Sequence, residues 1–263
     1  MFANDPAIRE NIPLAPLTTL RVGGPARYFL HARNCDEVET GVRWARERDL
    51  PILVLGGGSN LVVADEGYPG LVLRVGVRGV ESHVRDGVAE IVASAGEPWT
   101  PLVSFAVNHG WAGIECLAGI PGFVGATPVQ NVGAYGQEVR ETIAWVEAFD
   151  TETFETVIFH NEACQFEYRD SRFKQTDYGR YLILRVCYHL LVGGPPTIRY
   201  GELERFFATE NILTPTIADV HMAVLDIRRR KSMIHDHSDP NTRSAGSFFV
   251  NPIMTIEEYS AFE

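Results

Sequence analysis

The sequence has few cysteines and no long apolar run. Its four cysteines, Cys35, Cys116, Cys164 and Cys187, lie far apart and form no CxxC pair. This spacing predicts neither a disulfide framework nor a zinc site. No stretch approaches the roughly 20 apolar residues that a membrane-spanning helix requires, and the N-terminus lacks the apolar core of a signal peptide. We therefore expect a globular cytoplasmic protein with reduced thiols.

Positive charge is also scarce. The 263-residue chain has 23 basic and 34 acidic residues, giving a formal net charge of -11. Such a field repels nucleic acids and anionic lipids, so we expect neither as a partner. The basic run RRRK at 228–231 is too short to change this, and its arginines are equally consistent with a solvated helix end or with contacts to a diphosphate. The apolar content of 45% suffices for a substantial core.

Apolar periodicity predicts an α/β unit near the N-terminus. Apolar residues three or four apart, between an acidic start and a basic end, predict a helix over 36–48. The branched apolar run at 50–55 predicts a buried strand that leads directly into Gly56. Short apolar runs separated by polar turns predict strands and hairpins over 71–95.

The remainder of the chain is predicted to be rich in strands with a few helices. One helix is expected to start with Thr100 as its N-cap and another to cover 217–231 after Thr216. Thr255 and Glu258 match a capping box, so a third helix is expected to begin there. Further strands are predicted at 143–149, 156–159 and 181–191.

Glycine is concentrated in two stretches. GGGSN at 56–60 fits neither a dinucleotide-binding fingerprint nor a P-loop, so it is consistent with an anion-binding turn or with a simple exit from the strand. GIPGFVGATPVQNVGAYG at 119–136 mixes glycine, proline and apolar residues, a pattern that fits neither a helix nor a central strand. We interpret the second stretch as a rigid loop whose backbone approaches a large flat ligand.

Together these stretches resemble the UDP-N-acetylenolpyruvoylglucosamine reductases, flavoenzymes of bacterial peptidoglycan synthesis. The matching motifs, in order along nearly the whole chain, are PLTTLRVGGPARYF, GGGSNLVV, GIPGFVGATPVQNVGAYGQEV, FEYRDSRFK, RYGEL and SAGSFFVNP. The resemblance implies an α+β protein with the two-subdomain FAD-binding fold of the vanillyl-alcohol oxidase type. It divides the chain into FAD-binding subdomains at 1–74 and 75–231 and the start of a smaller α/β substrate-binding domain at 232–263.

The resemblance also implies a set of site residues. Arg169 in YRDS corresponds to the catalytic arginine, and Ser247 in AGSFF corresponds to the proton donor. Tyr200, Lys231 and Asn251 are expected to contact the substrate, with Tyr200 on a loop that closes over it. The residues expected to bind FAD are Gly56, Gly57, Gly58, Ser59, Asn60, Gly119, Ile120, Pro121, Gly122, Gly125, Ala126, Thr127, Gln130, Asn131, Gly133, Ala134, Tyr135 and Gly136.

For both predicted catalytic residues, Arg169 and Ser247, a structural role is the alternative to the catalytic one. A guanidinium beside the substrate carboxylate stabilises the charge that develops during hydride addition. An ion pair of Arg169 with Asp170 or Glu167 is the structural alternative. A serine hydroxyl can protonate a carbanion-like carbon, whereas an isolated GSFF most often contains a turn serine.

The sequence departs from the family pattern in two places. KSM at 231–233 replaces the usual lysine-leucine-proline, and the motif that carries the family's catalytic glutamate is missing, so we expect the third domain to continue beyond Glu263. This leaves two other interpretations, an FAD oxidase of the same fold and a non-catalytic flavin- or nucleotide-binding remnant. His235, Asp236, His237 and Asp239 are assigned to a solvated turn, and no metal site is predicted.

The resemblance further implies the substrates. FAD is the expected cofactor, NADPH the expected hydride donor and UDP-N-acetylglucosamine enolpyruvate the expected acceptor. We expect the chain to act as a monomer.

Overall fold

The structure is a computed structural model that describes residues 8–236, 238–247 and 249–262. Two β-sheets organise this part of the chain. The strands of the first are β1 (Arg9–Pro13), β2 (Pro25–Ala32), β3 (Ile52–Leu55) and β4 (Tyr68–Val75). They lie in the order β1-β2-β4-β3, with β1 antiparallel to β2 and the other two pairs parallel.

Helix α1 (Cys35–Arg46) connects β2 to β3. Asn34 caps it by accepting a hydrogen bond from the Glu37 backbone N–H at 2.8 Å. Val38 and Val42 are fully buried against Leu73 and the rest of the main core. Burial of each such side chain contributes about 1.5–3 kcal/mol relative to exposure. The predicted helix over 36–48 is therefore confirmed, and its last turn ends two residues early.

The second sheet is antiparallel and contains most of the remaining strands. Its strands are β5 (Val80–Arg85), β6 (Val88–Ser94), β7 (Trp111–Ala112), β10 (Ile143–Asp150), β11 (Thr156–His160) and β12 (Tyr181–Val192). The order is β11-β10-β12-β6-β5, and β7 pairs with the end of β12. Two short strands, β8 (Gly133–Ala134) and β9 (Gln137–Glu138), form a separate hairpin.

Several sequence predictions are confirmed in this sheet. The predicted strands at 143–149, 156–159 and 181–191 are β10, β11 and β12, each extended by one residue. Asp86 and Gly87, which join β5 to β6, both have positive φ, as a two-residue hairpin turn requires. The strand predicted from residue 50 begins instead at Ile52, because Pro51 has no N–H to contribute to the ladder.

One face of the second sheet is covered by helix α2 (Trp99–Asn108). Tyr188 and Ile91 lie opposite each other on β12 and β6, and both are fully buried on this face. The prediction that Thr100 caps α2 is wrong. Pro98 occupies the N-cap, and the Thr100 hydroxyl donates to the Ile120 carbonyl at 3.3 Å, so it fastens the helix to the glycine-rich loop.

The remaining helices lie in the C-terminal part of the chain. They are α3 (Gly201–Thr209), α4 (Ile217–Arg230) and α5 (Ile256–Phe262). Thr216 and Asp219 form a reciprocal capping box at α4, and Thr255 and Glu258 exchange the same bonds before α5, as predicted. Within the described residues, no helix has both the length and the apolar composition needed to span a bilayer.

Candidate active site

The first glycine-rich stretch follows β3 at the carboxyl end of the parallel strands. Gly58 has φ +65°, and a Cβ there would collide with the carbonyl oxygen of Leu17. A Cβ on Gly57 would lie 2.8 Å from Cα of Gly122. Because only glycine permits this path, the turn presents backbone to the adjoining space, as anion-binding loops do.

The two glycine-rich stretches are in direct contact. Ser59 Oγ donates to the Pro121 carbonyl at 3.1 Å, and Asn60 Nδ2 donates to Gln130 Oε1 at 3.0 Å. Both side chains were expected to bind FAD directly, and here they also join the two loops. The structure thus combines segments that the sequence analysis identified separately into one surface.

The second stretch forms turns around a short 3-10 helix, Val124–Ala126. Two of its predicted ligand-binding side chains are engaged within the protein. The Thr127 hydroxyl is buried and lies 2.7 Å from the hydroxyl of Tyr188. Asn131 is fully buried, and its amide donates to Glu138 at 3.0 Å and to the Glu167 carbonyl at 2.8 Å. These two side chains hold the loop in shape.

The other predicted FAD-binding residues of this stretch lie on the loop between those anchors. Ala126 and Gly136 are exposed, and Tyr135 is buried. The backbone N–H of Gly125 donates to the Ala95 carbonyl at 2.9 Å, which attaches the loop to the end of β6. Gly119 is also buried, and the partly buried positions are Ile120, Pro121, Gly122, Gly125, Gln130, Gly133 and Ala134.

Arg74, which the sequence analysis did not identify, lies beside these loops at the end of β4. Its guanidinium carbon is 5.7 Å from the ring centroid of Phe123, and its buried Nε has no hydrogen-bond partner among the described residues. Burial, and secondarily the charge of Arg78, lowers the pKa of Arg74. A guanidinium remains protonated in such a place, so Arg74 is a desolvated cation next to the glycine turn. The sequence signal that could have identified Arg74 is its position as a charged residue within the otherwise apolar run LVLRV at 71–75.

Arg228 of α4 is a second, partly buried cation at the same surface. Its Nε also has no hydrogen-bond partner among the described residues, and this atom lies 3.4 Å from where a Cβ on Gly119 would be. Burial lowers the pKa of Arg228, while a hydrogen bond with Tyr135 opposes that shift. Two partly buried guanidinium groups at glycine-rich loops would provide the charge that a diphosphate requires.

Arg169 is held against the second loop. Its Nη2 donates to the Gly133 carbonyl at 2.6 Å, and its Nη1 lies 3.7 Å from Glu138 Oε1. The structural alternative, a pair with Asp170 or Glu167, is not what the structure shows. Those two residues instead form a backbone bridge with each other on either side of Tyr168 and Arg169.

The predicted substrate-binding residues Tyr200 and Lys231 lie near each other. The ring of Tyr200 meets that of Tyr135 edge to face, with centroids 5.5 Å apart. Lys231 Nζ is 2.7 Å from Glu202 Oε2, and this bond raises the pKa of Lys231. Lys231 follows the last residue of α4, and Ser232 continues with φ +54°, where the family pattern has another sequence.

The C-terminal segment passes close to both parts of the site. A Cβ on Gly246 would lie 3.7 Å from Asn60 Oδ1, so the residue before Ser247 adjoins the first glycine turn. Asn251 Nδ2 donates to the Tyr168 hydroxyl at 3.2 Å, next to Arg169 in the chain. Ser247 itself is exposed. The structure therefore brings the segment that contains Ser247 into contact with Tyr168, the residue that precedes Arg169.

The histidine-containing segment before it forms a turn. Asp236 accepts hydrogen bonds from the backbone and the hydroxyl of Ser238, at 2.8 and 2.6 Å. Asp239 accepts one from the backbone of Asn241 at 2.9 Å. These carboxylates shape the turn, and His237 lies outside the described residues.

The residues present fit FAD. Glycine positions closed to any side chain, two partly buried guanidinium groups and loop-joining polar side chains lie along the two glycine-rich loops. Backbone N–H groups and buried cations would hold the diphosphate, and the second loop would lie along the flavin.

Comparison with known proteins agrees with this geometry. A model of an FAD-binding domain matches residues 26–153. The UDP-N-acetylenolpyruvoylglucosamine reductase of Streptomyces avermitilis is 48% identical over 255 residues, which are 96% of this chain and 69% of that protein. The enzyme of the same name from Thermobifida fusca is 44% identical over 96% of this chain and 71% of its own length.

The chain belongs to the UDP-N-acetylenolpyruvoylglucosamine reductase family. Among solved structures, the UDP-N-acetylenolpyruvylglucosamine reductase from Thermus caldophilus matches 93% of this chain and 76% of its own, with 27% identity and a TM-score of 0.66. A cholesterol oxidase from Brevibacterium sterolicum matches 73% of this chain and 39% of its own, with 15% identity and a TM-score of 0.51. The oxidase shows a shared fold. The predicted FAD-binding α+β fold is thus confirmed.

Proposed function

We propose that this chain is the NADPH-dependent flavoenzyme that reduces UDP-N-acetylglucosamine enolpyruvate to UDP-N-acetylmuramate for peptidoglycan. The observation that carries the proposal is the position of Arg169. Its guanidinium is fixed to the Gly133 carbonyl on the loop expected to line the flavin, and Tyr168 beside it contacts the segment that contains Ser247. These contacts support a site in which Arg169 provides a cation for the substrate carboxylate and Ser247 a hydroxyl for the carbanion.

Arg169 supplies the cation that the reduction requires. Hydride addition to the enolpyruvyl methylene moves negative charge toward the carboxylate, so a fixed guanidinium binds the transition state more strongly than the ground state. A guanidinium has five N–H donors. The contacts with the carbonyls of Gly133 and Asn131 involve two of them, which leaves donors for a substrate carboxylate.

Ser247 supplies the proton that completes the reduction. The carbon next to the carboxylate is basic enough after hydride addition to accept a proton from a hydroxyl held beside it. Gly246, with φ +81°, turns the chain immediately before Ser247 and permits its approach to Asn60. The exposed Ser247 hydroxyl is free to meet a substrate that enters from solvent.

FAD, when bound, carries the hydride between NADPH and the enolpyruvyl group. Arg74 and Arg228 would neutralise its diphosphate, and Gly56 to Asn60 would surround it with backbone N–H groups. Both guanidinium groups are already partly withdrawn from water in the ligand-free protein. Each buried Nε lacks a hydrogen-bond partner among the described residues, and a bound diphosphate would supply one.

Tyr200, Lys231 and Asn251 would bind the sugar nucleotide. Lys231 is paired with Glu202, and an incoming phosphate would compete for its three N–H donors. Tyr200 is about half exposed at the start of α3, where it can contact a substrate. We propose a cytoplasmic monomer with FAD-binding subdomains at 1–74 and 75–231 and the start of a substrate-binding domain at 232–263.

Anaerobic absorption spectra of the purified chain test this function. The chain is loaded with FAD, then given NADPH and finally UDP-N-acetylglucosamine enolpyruvate. We expect a flavin band that bleaches with NADPH and returns with the acceptor. In a parallel aerobic assay, oxygen consumption with a small alcohol or hydroxy acid as electron donor and no NADPH would favour an oxidase. A flavin that neither NADPH nor the acceptor affects would favour a non-catalytic flavin-binding protein.

A further inference from the structure

The outer face of the second sheet carries three metal-binding side chains that the flavin site does not use. Glu90 on β6 lies directly opposite His189 on β12, and Cys187 is two residues before His189 on the same strand. Residues two apart on a strand share a face, so all three project from the same side of the sheet. Tyr188, between the last two, points to the opposite side, where its hydroxyl meets Thr127 of the flavin loop.

The donor atoms of these three residues converge. His189 Nε2 is 3.1 Å from Glu90 Oε2, and the imidazole nitrogen, the thiol sulfur and a carboxylate oxygen all lie within 4.8 Å of one another. Ligands bonded to one zinc ion at 2.0 to 2.3 Å are separated by roughly 3 to 4 Å in a tetrahedral site. Small side-chain rotations therefore suffice to bring all three donors to one ion.

The surroundings of the three donors differ in a way that suits a metal. Cys187 is fully buried, whereas His189 and Glu90 are about half exposed, so the group opens to solvent on one side only. A divalent cation bound there would be balanced by the Glu90 carboxylate and by a Cys187 thiolate, whose proton is released to water on binding.

We propose that Glu90, Cys187 and His189 form a binding site for Zn²⁺ or a similar divalent transition-metal ion. Thiolate, imidazole and carboxylate are the three ligand types of protein zinc sites, whereas Mg²⁺ and Ca²⁺ prefer oxygen alone. The fourth position faces solvent and would be taken by water. The metal would link β6 to β12 on the side of the sheet away from the flavin loop.

Cobalt titration of the FAD-loaded chain tests the site. Cys35 is an exposed free thiol, so the experiment is done in a Cys35→Ser background to remove an unrelated ligand. We expect one Co²⁺ per chain, a near-ultraviolet charge-transfer band from the Cys187 thiolate and visible bands of tetrahedral cobalt. Zn²⁺ should abolish both sets of bands by displacement.

Three substitutions identify the ligands. Cys187→Ser should remove the charge-transfer band. His189→Gln should weaken Co²⁺ binding by roughly 100-fold, because loss of a direct ligand should cost at least as much affinity as loss of a residue that only hydrogen-bonds a ligand. Glu90→Gln should weaken it comparably. His160→Gln is the matched control because His160 is an exposed histidine on the edge strand of the same sheet, two strands from Cys187.

Each result bears on the assignment. Because His189 is half exposed, its variant is expected to fold, which circular dichroism and retained FAD absorbance would verify. Co²⁺ binding without a thiolate band, or binding that His189→Gln leaves unchanged, would overturn the proposal. So would equal weakening by His160→Gln, since that pattern indicates adventitious binding to surface histidines.

Discussion

The guanidinium of Arg169 donates to the carbonyl oxygen of Gly133 at 2.6 Å, across a gap in the sequence of more than thirty residues. Arg169 has φ +57°, a left-handed conformation that costs an L-residue roughly 1–2 kcal/mol. Lys174 Nζ donates to its carbonyl at 2.8 Å and helps to hold this backbone. The protein thus accepts local strain to direct one arginine onto the glycine loop.

Arg169→Lys should reduce turnover strongly while leaving FAD binding intact. A lysine ammonium cannot hold the loop carbonyl and a substrate carboxylate with one planar group. Loss of such a stabilising donor lowers kcat by about 100- to 1000-fold. The measurement is stopped-flow reoxidation of the NADPH-reduced protein by UDP-N-acetylglucosamine enolpyruvate.

Arg140→Lys is the matched control for that substitution. Arg140 Nε pairs with Glu138, the same carboxylate that lies near Arg169, at 2.8 Å, but its side chain is about half exposed. Its replacement should leave reoxidation unchanged. Equal losses in both variants would mean that the charge balance around Glu138, rather than Arg169, governs the rate.

Ser247→Ala should separate the two halves of the reaction. NADPH should bleach the flavin at the normal rate, because that half does not need the proton donor. Reoxidation by the enolpyruvyl substrate should be abolished, since the intermediate carbon cannot be protonated. Ser238→Ala in the same segment, whose hydroxyl donates to Asp236, is the control. Unchanged turnover of the Ser247 variant would refute the role of Ser247 as the donor.

Gly57→Ala should impair both stability and FAD binding. The new Cβ would lie 2.8 Å from Cα of Gly122, so the two loops must separate. Forcing a methyl group into a packed contact costs roughly 1–3 kcal/mol. The measurements are the thermal unfolding midpoint and FAD affinity. Gly201→Ala is the control because its Cβ would meet only the flexible end of Arg205 at 3.4 Å, and it should leave both unchanged.

Much of the fold could be predicted because its signals are local. Thr216 was recognisable as a helix cap and Thr255 with Glu258 as a capping box, and both are present. The apolar runs of β10, β11 and β12 lie in place to within one residue at each end. Thr100 shows the limit of this approach, because its hydroxyl serves the Ile120 carbonyl instead of the helix terminus.

The site itself was only partly predictable. The motifs predicted which segments approach a ligand. Which side chains of those segments face outward depends on tertiary packing, which the motifs do not encode. Thr127 looked like a ligand-binding residue, yet its hydroxyl lies against Tyr188 in the core. Arg74 looked like an ordinary strand residue, although it is a cation with a buried, unpartnered Nε beside the glycine turn. The convergence of Cys187, His189 and Glu90 follows from strand register, which no local motif encodes.

Arg74→Met should weaken FAD binding without destabilising the ligand-free protein. Arg74 is a desolvated cation that a second cation, Arg78, repels, so an apolar side chain of similar length removes an unfavourable contact. Loss of one charge-assisted contact to a diphosphate should reduce FAD affinity about tenfold, equivalent to about 1.4 kcal/mol. Fluorescence titration of FAD and thermal unfolding measure the two effects. Arg27→Met on the exposed side of β2 should change neither, and unaltered FAD affinity in the Arg74 variant would remove Arg74 from the site.

Asp150 should make stability depend on pH in the acid range. It is nearly fully buried, and Arg180 Nη2 lies 2.6 Å from its carboxylate. That hydrogen bond, followed by those from the backbone of Glu152 and Thr153, holds the pKa of Asp150 below its ordinary value against the effect of burial. The unfolded chain therefore takes up this proton first as the pH falls below about 4, and acidification favours unfolding.

Asp150→Asn tests that dependence through urea unfolding at several pH values. The variant should be less stable by roughly 1–3 kcal/mol near pH 7, because it loses charged hydrogen bonds to Arg180. The difference should shrink as the pH falls through the lowered pKa of Asp150, since the wild-type carboxylate then loses its charge too. Glu152→Gln is the matched control: Glu152 pairs with the same arginine at 3.2 Å, but its side chain is 58% exposed. An exposed pair contributes little, so that variant should follow the wild-type curve. A constant difference between Asp150→Asn and wild type across the acid range would show that the lost bonds act through packing rather than charge.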